Sequence, residues 1–162
     1  MLYLLDANVM IRAHEDYYPI DRIPQFWEWL TDQGKNGVVK IPYEIYEEIS
    51  VSTGKLHDWL TEREIKGIMV LDQEIDRILL NKVLAEGYAP DLNDSETEKV
   101  GQDPFLIGYA LADPTNVTIV TKEVSAPSKQ RANKRVPDVC KSFRIRCIND
   151  FEFYRELNFK IS

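Results

Sequence analysis

Short apolar runs alternate with longer amphipathic stretches along the chain. The runs are rich in β-branched residues and lie at 3–5 (YLL), 37–41 (GVVKI), 68–71 (IMVL), 117–121 (VTIVT) and 144–148 (RIRCI). Between them, apolar residues recur at helical spacing, as at Ile20, Ile23, Phe26, Trp27 and Leu30, and again at Ile75, Ile78, Leu79 and Val83. Strands that alternate with helices are typical of a parallel sheet. The pattern therefore predicts an α/β fold in which helices cover both faces of the sheet.

Two polar stretches separate these elements. Residues 87–102 are rich in turn-forming residues and predict a connection with a helical turn from Ser95. Residues 122–137 form a second loop that is long for a compact domain. Since loops of this length usually carry function or move, the second loop is a place to look for a site.

Length and composition narrow the class of protein. A chain of 162 residues has the size of one domain, so we expect a single domain over residues 1–162. No apolar run reaches the length of a membrane span, and no basic segment precedes an apolar one at the N-terminus. We therefore expect a cytoplasmic protein with no membrane partner. The two cysteines, Cys140 and Cys147, argue against a disulfide framework or a structural zinc site.

Charge is unevenly distributed. The formal net charge is −7, yet residues 122–146 contain eight basic and two acidic residues and carry +6, which leaves −13 on the rest of the chain. One interpretation is a local patch for phosphate groups. The other is a solvated loop and helix face, and composition alone does not separate them.

Acidic residues follow several of the predicted strands. Asp6 comes directly after the first apolar run, and Glu123 follows the fourth. The other candidates lie at or near the start of predicted helices: Glu44, Glu47, Glu48 and Asp103. Because ligands of open parallel sheets bind beyond the carboxyl ends of the strands, such a fold would bring these acids to one edge.

Converging carboxylates repel one another and need a cation. An all-oxygen donor set without His or Cys selects Mg²⁺ or Mn²⁺, which activate water and stabilise displacement at phosphorus. Each acid also has a purely structural interpretation. Asp6 and Asp103 are good helix N-caps, with Pro104 at the favoured first helical position, and the glutamates suit a solvated surface. Only Asp6, at the end of an apolar strand, is hard to explain as a surface charge.

The order of these motifs resembles PIN-domain ribonucleases of the VapC-like toxin group. The matching segments are LLDANV around Asp6, I-P-x-x-x-x-x-E ending at Glu48, D-P-F-L-I-x-x-A from Asp103, and I-V-T-x-E ending at Glu123. The resemblance extends from Leu2 to about Phe153. The segment VPDVC at 136–140 is similar to a subgroup whose core ends with a basic loop.

This resemblance implies a three-layer α/β/α sandwich with a parallel, about five-stranded sheet. It also implies a Mg²⁺- or Mn²⁺-dependent endoribonuclease that cleaves RNA with a metal-activated water, leaving 5′-phosphate and 3′-hydroxyl ends. Such proteins are typically toxins of bacterial or archaeal toxin–antitoxin pairs. The expected partners are RNA, a protein antitoxin and a second copy in a homodimer.

The resemblance assigns the metal-binding acids to Asp6, Glu48 and Asp103. The fourth acid falls on Glu123, where the family often has aspartate, and Asp138 in the basic loop is the alternative. Glu44 and Glu47 compete with Glu48 for the second position.

The resemblance also assigns supporting residues. Asn8 and Thr121 match polar positions that orient the ligands. The basic loop supplies the residues expected to bind RNA phosphates, which are Lys122, Lys129, Arg131, Lys134 and Arg135.

Three alternatives stay open. A haloacid-dehalogenase-like phosphatase also starts with a strand and D-x-D, but Asn8 replaces its second acid here. A catalytically inactive PIN-like module would bind RNA or a protein without cutting. A plain interaction protein would use its acids as caps, which requires Asp6, Glu48 and Asp103 to lie apart.

Overall fold

The computed structural model of the chain describes residues 1–162 and contains a four-stranded parallel sheet. Its strands are β1 (Leu2–Leu5), β2 (Val39–Lys40), β3 (Val117–Val120) and β4 (Arg146–Ile148). They lie in the order β2-β1-β3-β4, with Leu4 opposite Lys40 and Ile119, and Ile119 opposite Cys147. All four residues of β3 are buried, as expected for a strand covered on both faces.

Helices cover both faces of this sheet, so the predicted three-layer α/β/α fold is confirmed. The first five are α1 (Ala7–Arg12), α2 (Pro24–Lys35), α3 (Tyr43–Ser50), α4 (Lys55–Leu60) and α5 (Arg63–Met69). The other five are α6 (Arg77–Lys82), α7 (Asp94–Val100), α8 (Asp103–Leu111), α9 (Val136–Ser142) and α10 (Asp150–Glu156). Single π-helical turns extend α1 over Ala13–Tyr17 and α6 over Val83–Tyr88. None of these helices combines the length and the apolar character needed to cross a membrane.

The expected fifth strand does not form. Helix α5 continues to Met69, and Val70 makes only an isolated parallel bridge with Ile41. Ile41 donates its backbone N–H to Met69 (2.7 Å) and accepts from Leu71 (2.8 Å). A short apolar run does not distinguish a strand from the buried side of a helix, and Met69 is fully buried as a helical residue.

The buried apolar residues form one connected cluster of 36 side chains, which includes the predicted stripe residues Phe26, Trp27 and Leu30. The second predicted stripe is less regular, because Ile78 is 81% exposed. The polar stretch 87–102 contains more helix than expected, since Asn93 and Glu96 form a capping box that starts α7.

The strand order defines where a ligand can bind. From β1 the chain crosses to β2 on one side, and β3 and β4 lie on the other side. Side chains that follow β1 and β3 therefore flank the point where the connections diverge, which is the usual binding position in open α/β sheets.

Candidate metal centre

Asp6 occupies the end of β1 and is the N-cap of α1, as predicted. Its Oδ1 accepts a hydrogen bond from the backbone N–H of Ala7 (2.7 Å), and its Oδ2 accepts from the hydroxyl of Thr121 (2.9 Å) and the amide of Asn8 (3.3 Å). The residue is 5% exposed. Burial raises the pKa of this carboxyl, and the three neutral donors counteract that rise.

Asn8 and Thr121 connect the ends of β1 and β3. The Asn8 amide also donates to the Thr121 hydroxyl oxygen (3.3 Å), and its Oδ1 accepts from the backbone N–H of Lys122 (3.0 Å). The Thr121 oxygen accepts a further bond from the backbone N–H of Glu123 (3.1 Å). These contacts hold the backbone on either side of Asp6 and orient its carboxylate.

Asp103 is the first residue of α8, and its side chain does not cap the helix. Gln102 takes the N-cap position and Pro104 the second helical position, so the N-cap interpretation of Asp103 is wrong. The carboxylate is left free to face the other acids. Burial raises the pKa of Asp103 to about 8, with further contributions from the charges of Asp6, Glu123 and Glu48.

Glu123 and Glu48 lie on different elements, and the charge of Asp6 acts on both. Glu123 is half-buried after β3, and burial together with the charge of Asp6 raises its pKa, while Arg135 at 3.9 Å opposes that rise. Glu48 lies on α3 at the exposed rim of the site. Loss of hydration and the charge of Asp6 raise its pKa, and the Gln102 backbone amide opposes this.

The acids form a cluster that fits a divalent cation. Carboxylate oxygens of Asp6, Asp103 and Glu123 lie within 4.8 Å of one another. Asp6, Glu48 and Asp103 take part in no ion pair, and Glu123 has only the Arg135 guanidinium at 3.9 Å. An all-oxygen set of this kind matches the preferences of Mg²⁺ and Mn²⁺. The cap-only interpretation required Asp6, Glu48 and Asp103 to lie apart. The structure brings Asp6 and Asp103 together with Glu123, and Glu48 lies outside this group of ligand oxygens.

The competing acids make other contacts. Asp138 accepts from the Ser125 hydroxyl and from the backbone N–H of Ala126 (2.8 Å), so it secures the basic loop. Glu44 accepts from the Tyr109 hydroxyl (2.9 and 3.2 Å). Glu47 is exposed on α3.

Three of the five basic residues expected at RNA are paired with acids of the chain. Lys122 donates to Asp150 (2.8 Å) and contacts the Tyr17 hydroxyl (3.2 Å). Arg131 binds Glu96 and Asp91. Arg135 lies 3.9 Å from Glu123, and together with the unpaired Lys129 and Lys134 it lines a cleft beside the acids.

This cleft has a volume of about 290 Å³. Its polar and charged lining consists of Tyr88, Lys99, Asp103, Glu123, Lys129, Asn133, Lys134 and Arg135. The sequence reasoning missed Tyr88 and Lys99. No local pattern marks either residue, because Lys99 lies near the end of α7 and the chain turns at Gly101 before α8 begins at Asp103.

The fold and the cluster define a class: a three-layer α/β/α protein with carboxylates gathered at the switch point of its parallel sheet. Within that class, the family model described as "Domain of unknown function (DUF4411)" matches residues 3–161. The chain belongs to this family. No curated protein matches it.

Proposed function

We propose that this protein is a Mg²⁺- or Mn²⁺-dependent endoribonuclease of the PIN type. The observation that supports this is the convergence of acids from four separate elements with a single cation of the chain beside them, Arg135 at 3.9 Å from Glu123. Asp6 follows β1, Glu123 follows β3, and Asp103 begins α8. Glu48 lies on α3. A folded chain keeps such mutual repulsion when an external cation relieves it.

Asp6, Asp103 and Glu123 would hold the ion, with Glu48 at the rim. The bound ion would neutralise the cluster and supply a water activated for in-line attack on a phosphodiester. Thr121 and Asn8 fix the direction of the Asp6 oxygens through their hydrogen bonds of 2.9 and 3.3 Å. Because these donors are neutral, they orient the carboxylate without cancelling its charge.

Basic side chains beside the acids favour a nucleic-acid substrate. Lys129, Lys134 and Arg135 lie on the same cleft as Asp103 and Glu123, so a phosphate group in the cleft would contact cations on one side and the metal ligands on the other. The resemblance to VapC-like toxins supports RNA as the substrate, with a cytoplasmic site of action. It also supports a protein antitoxin and a homodimer as partners.

The test is cleavage of mixed cellular RNA by the purified protein with Mn²⁺ or Mg²⁺ and with EDTA. Asp103→Asn keeps the shape of the side chain but removes a metal-binding charge, so we expect a loss of at least about 10³-fold in rate. Glu47→Gln is the matched control, because Glu47 is an exposed acid next to Glu48. It should retain full activity.

Absence of cleavage of ribosomal, transfer and messenger RNA would overturn the proposal. An inactive PIN-like module that binds RNA or a protein would then explain the site. Equal activity of wild type and Asp103→Asn would likewise place the chemistry elsewhere.

A further inference from the structure

The cleft beside the acids carries lysines that have no partner within the chain. Lys99 lies on α7, and Lys129 and Lys134 lie on the basic loop. None of the three takes part in an ion pair or a side-chain hydrogen bond, whereas Lys122 and Arg131 nearby are both paired. The positive charge of the cleft is therefore available to a ligand.

The loop that presents two of these lysines is fixed against α7. Arg131 donates to both carboxylate oxygens of Glu96 (2.8 and 3.0 Å) and to the Asp91 carboxylate (2.9 Å). Its φ of 54° lies in the left-handed region, so the backbone turns at this residue. Ala132 follows and is buried. These contacts fix the loop to α7, and they thereby hold Lys129 and Lys134 at the cleft.

A buried donor lies in the wall of the same cleft. Tyr88 is 4% exposed, and its hydroxyl has no hydrogen-bond partner. Burial and the nearby charges of Asp103 and Glu123 raise the pKa of this hydroxyl, so it remains protonated at neutral pH. Buried polar groups are almost always paired, so this hydroxyl beside the cleft is a donor that no group of the chain uses.

We propose that this cleft is a phosphate subsite. Resting on the proposed function, the inference is that Lys99, Lys129 and Lys134 bind the phosphate next to the scissile one on the same single strand. A cleft of about 290 Å³ has room for a single nucleotide, and a flexible single strand can direct one phosphate group into it. The lysines thus place the strand so that the neighbouring phosphate lies over Asp103 and Glu123.

The experiment measures binding without cleavage. A fluorescent oligouridylate of about ten nucleotides is titrated with the protein in EDTA, and anisotropy gives Kd at several salt concentrations. Lys99→Ala and Lys134→Ala should each weaken binding about fivefold. Each should also reduce the slope of log Kd against log salt by about 0.7, the value for one phosphate contact on a single strand.

Lys35→Ala is the matched control, because Lys35 is exposed on α2 and has no ion pair. It should bind as the wild type does. The same substitutions should leave binding of an annealed duplex unchanged.

Equal Kd values and salt slopes for Lys99→Ala, Lys134→Ala and Lys35→Ala would overturn the subsite. Equal losses on the single strand and the duplex would overturn its restriction to single strands. Both results are separable from a failure of the nuclease proposal, because metal-dependent cleavage by the wild type is measured independently.

Discussion

Two buried aspartates, Asp150 and Asp6, follow strands of the same sheet, and they differ in the charge of the groups that contact their carboxylates. Asp150 comes shortly after β4, is 1% exposed and receives the ammonium of Lys122 at 2.8 Å. The Tyr17 hydroxyl also contacts that ammonium, and the rings of Tyr17 and Phe151 lie 5.1 and 4.9 Å from it. Asp6 follows β1, is 5% exposed and receives only neutral donors.

The two buried carboxylates therefore differ in how their charge is compensated, because Asp150 has an ammonium beside it and Asp6 has only neutral hydrogen-bond donors. Lys122 lies between Thr121 and Glu123, so a lysine was available beside the acidic cluster. Side chains alternate in extended backbone, and the ammonium is directed to Asp150 while Thr121 contacts Asp6. Lys122 is thus directed away from the acidic cluster, whose nearest ion-pair partner is Arg135 at 3.9 Å from Glu123.

The largest effect on stability is expected from breaking the ion pair between Lys122 and Asp150. Lys122→Met leaves a charge on Asp150 in an apolar environment, and removal of one partner of a buried pair destabilises a protein by about 3 kcal/mol. Urea unfolding measures the free energy of unfolding, with Lys35→Met as the exposed control. Adding Asp150→Asn to Lys122→Met should recover part of the loss. A change below about 0.5 kcal/mol, typical of surface substitutions, would contradict the role of this pair.

Removal of a charge from the acidic cluster should stabilise the metal-free protein, in contrast to the loss of stability expected for Lys122→Met. The pKa of Asp103 is raised from 3.8 to about 8, so the folded metal-free chain holds a proton that the unfolded chain releases between these pH values. This stabilisation is complete below the unfolded pKa near 4 and is lost as the pH rises through the folded pKa near 8. Asp103→Asn removes the repulsion and should stabilise the metal-free protein at pH 8 by roughly 2 kcal/mol, or about 6 °C in Tm.

Thermal melts in EDTA at pH 6 and pH 8 measure this effect, with Glu47→Gln as the control. Mn²⁺ should raise the Tm of the wild type more at pH 8 than at pH 6, because metal ligands must be deprotonated. A wild-type Tm that is unaffected by Mn²⁺ at both pH values would contradict a metal centre.

Local patterns predicted the elements that position the site. The apolar run before Asp6, the run before Thr121 and the helix DPFLIGYALA all form as expected. The strand predicted at residues 68–71 was wrong, because four apolar residues fit a strand and the end of a helix equally well.

The partners of charged side chains are set by distant contacts that local patterns do not contain. Counting charges in the loop could not show that Lys122 pairs with Asp150 or that Arg131 pairs with Asp91 and Glu96. Lys99 and Tyr88 were missed for the same reason, since tertiary packing alone brings them to the cleft.

The smallest expected effect concerns the choice between Glu123 and Asp138 as the fourth acid. Glu123 has an oxygen in the cluster with Asp6 and Asp103, whereas Asp138 accepts from Ser125 and Ala126. Glu123→Gln should weaken Mn²⁺ binding about tenfold or more, because it removes a negative ligand. Asp138→Asn should leave Mn²⁺ affinity within about twofold and lower stability by about 1 kcal/mol, the contribution of a hydrogen bond. Calorimetric titration with Mn²⁺ separates the two, and the reverse ranking would assign the ligand to Asp138 and require the basic loop to rearrange around the metal.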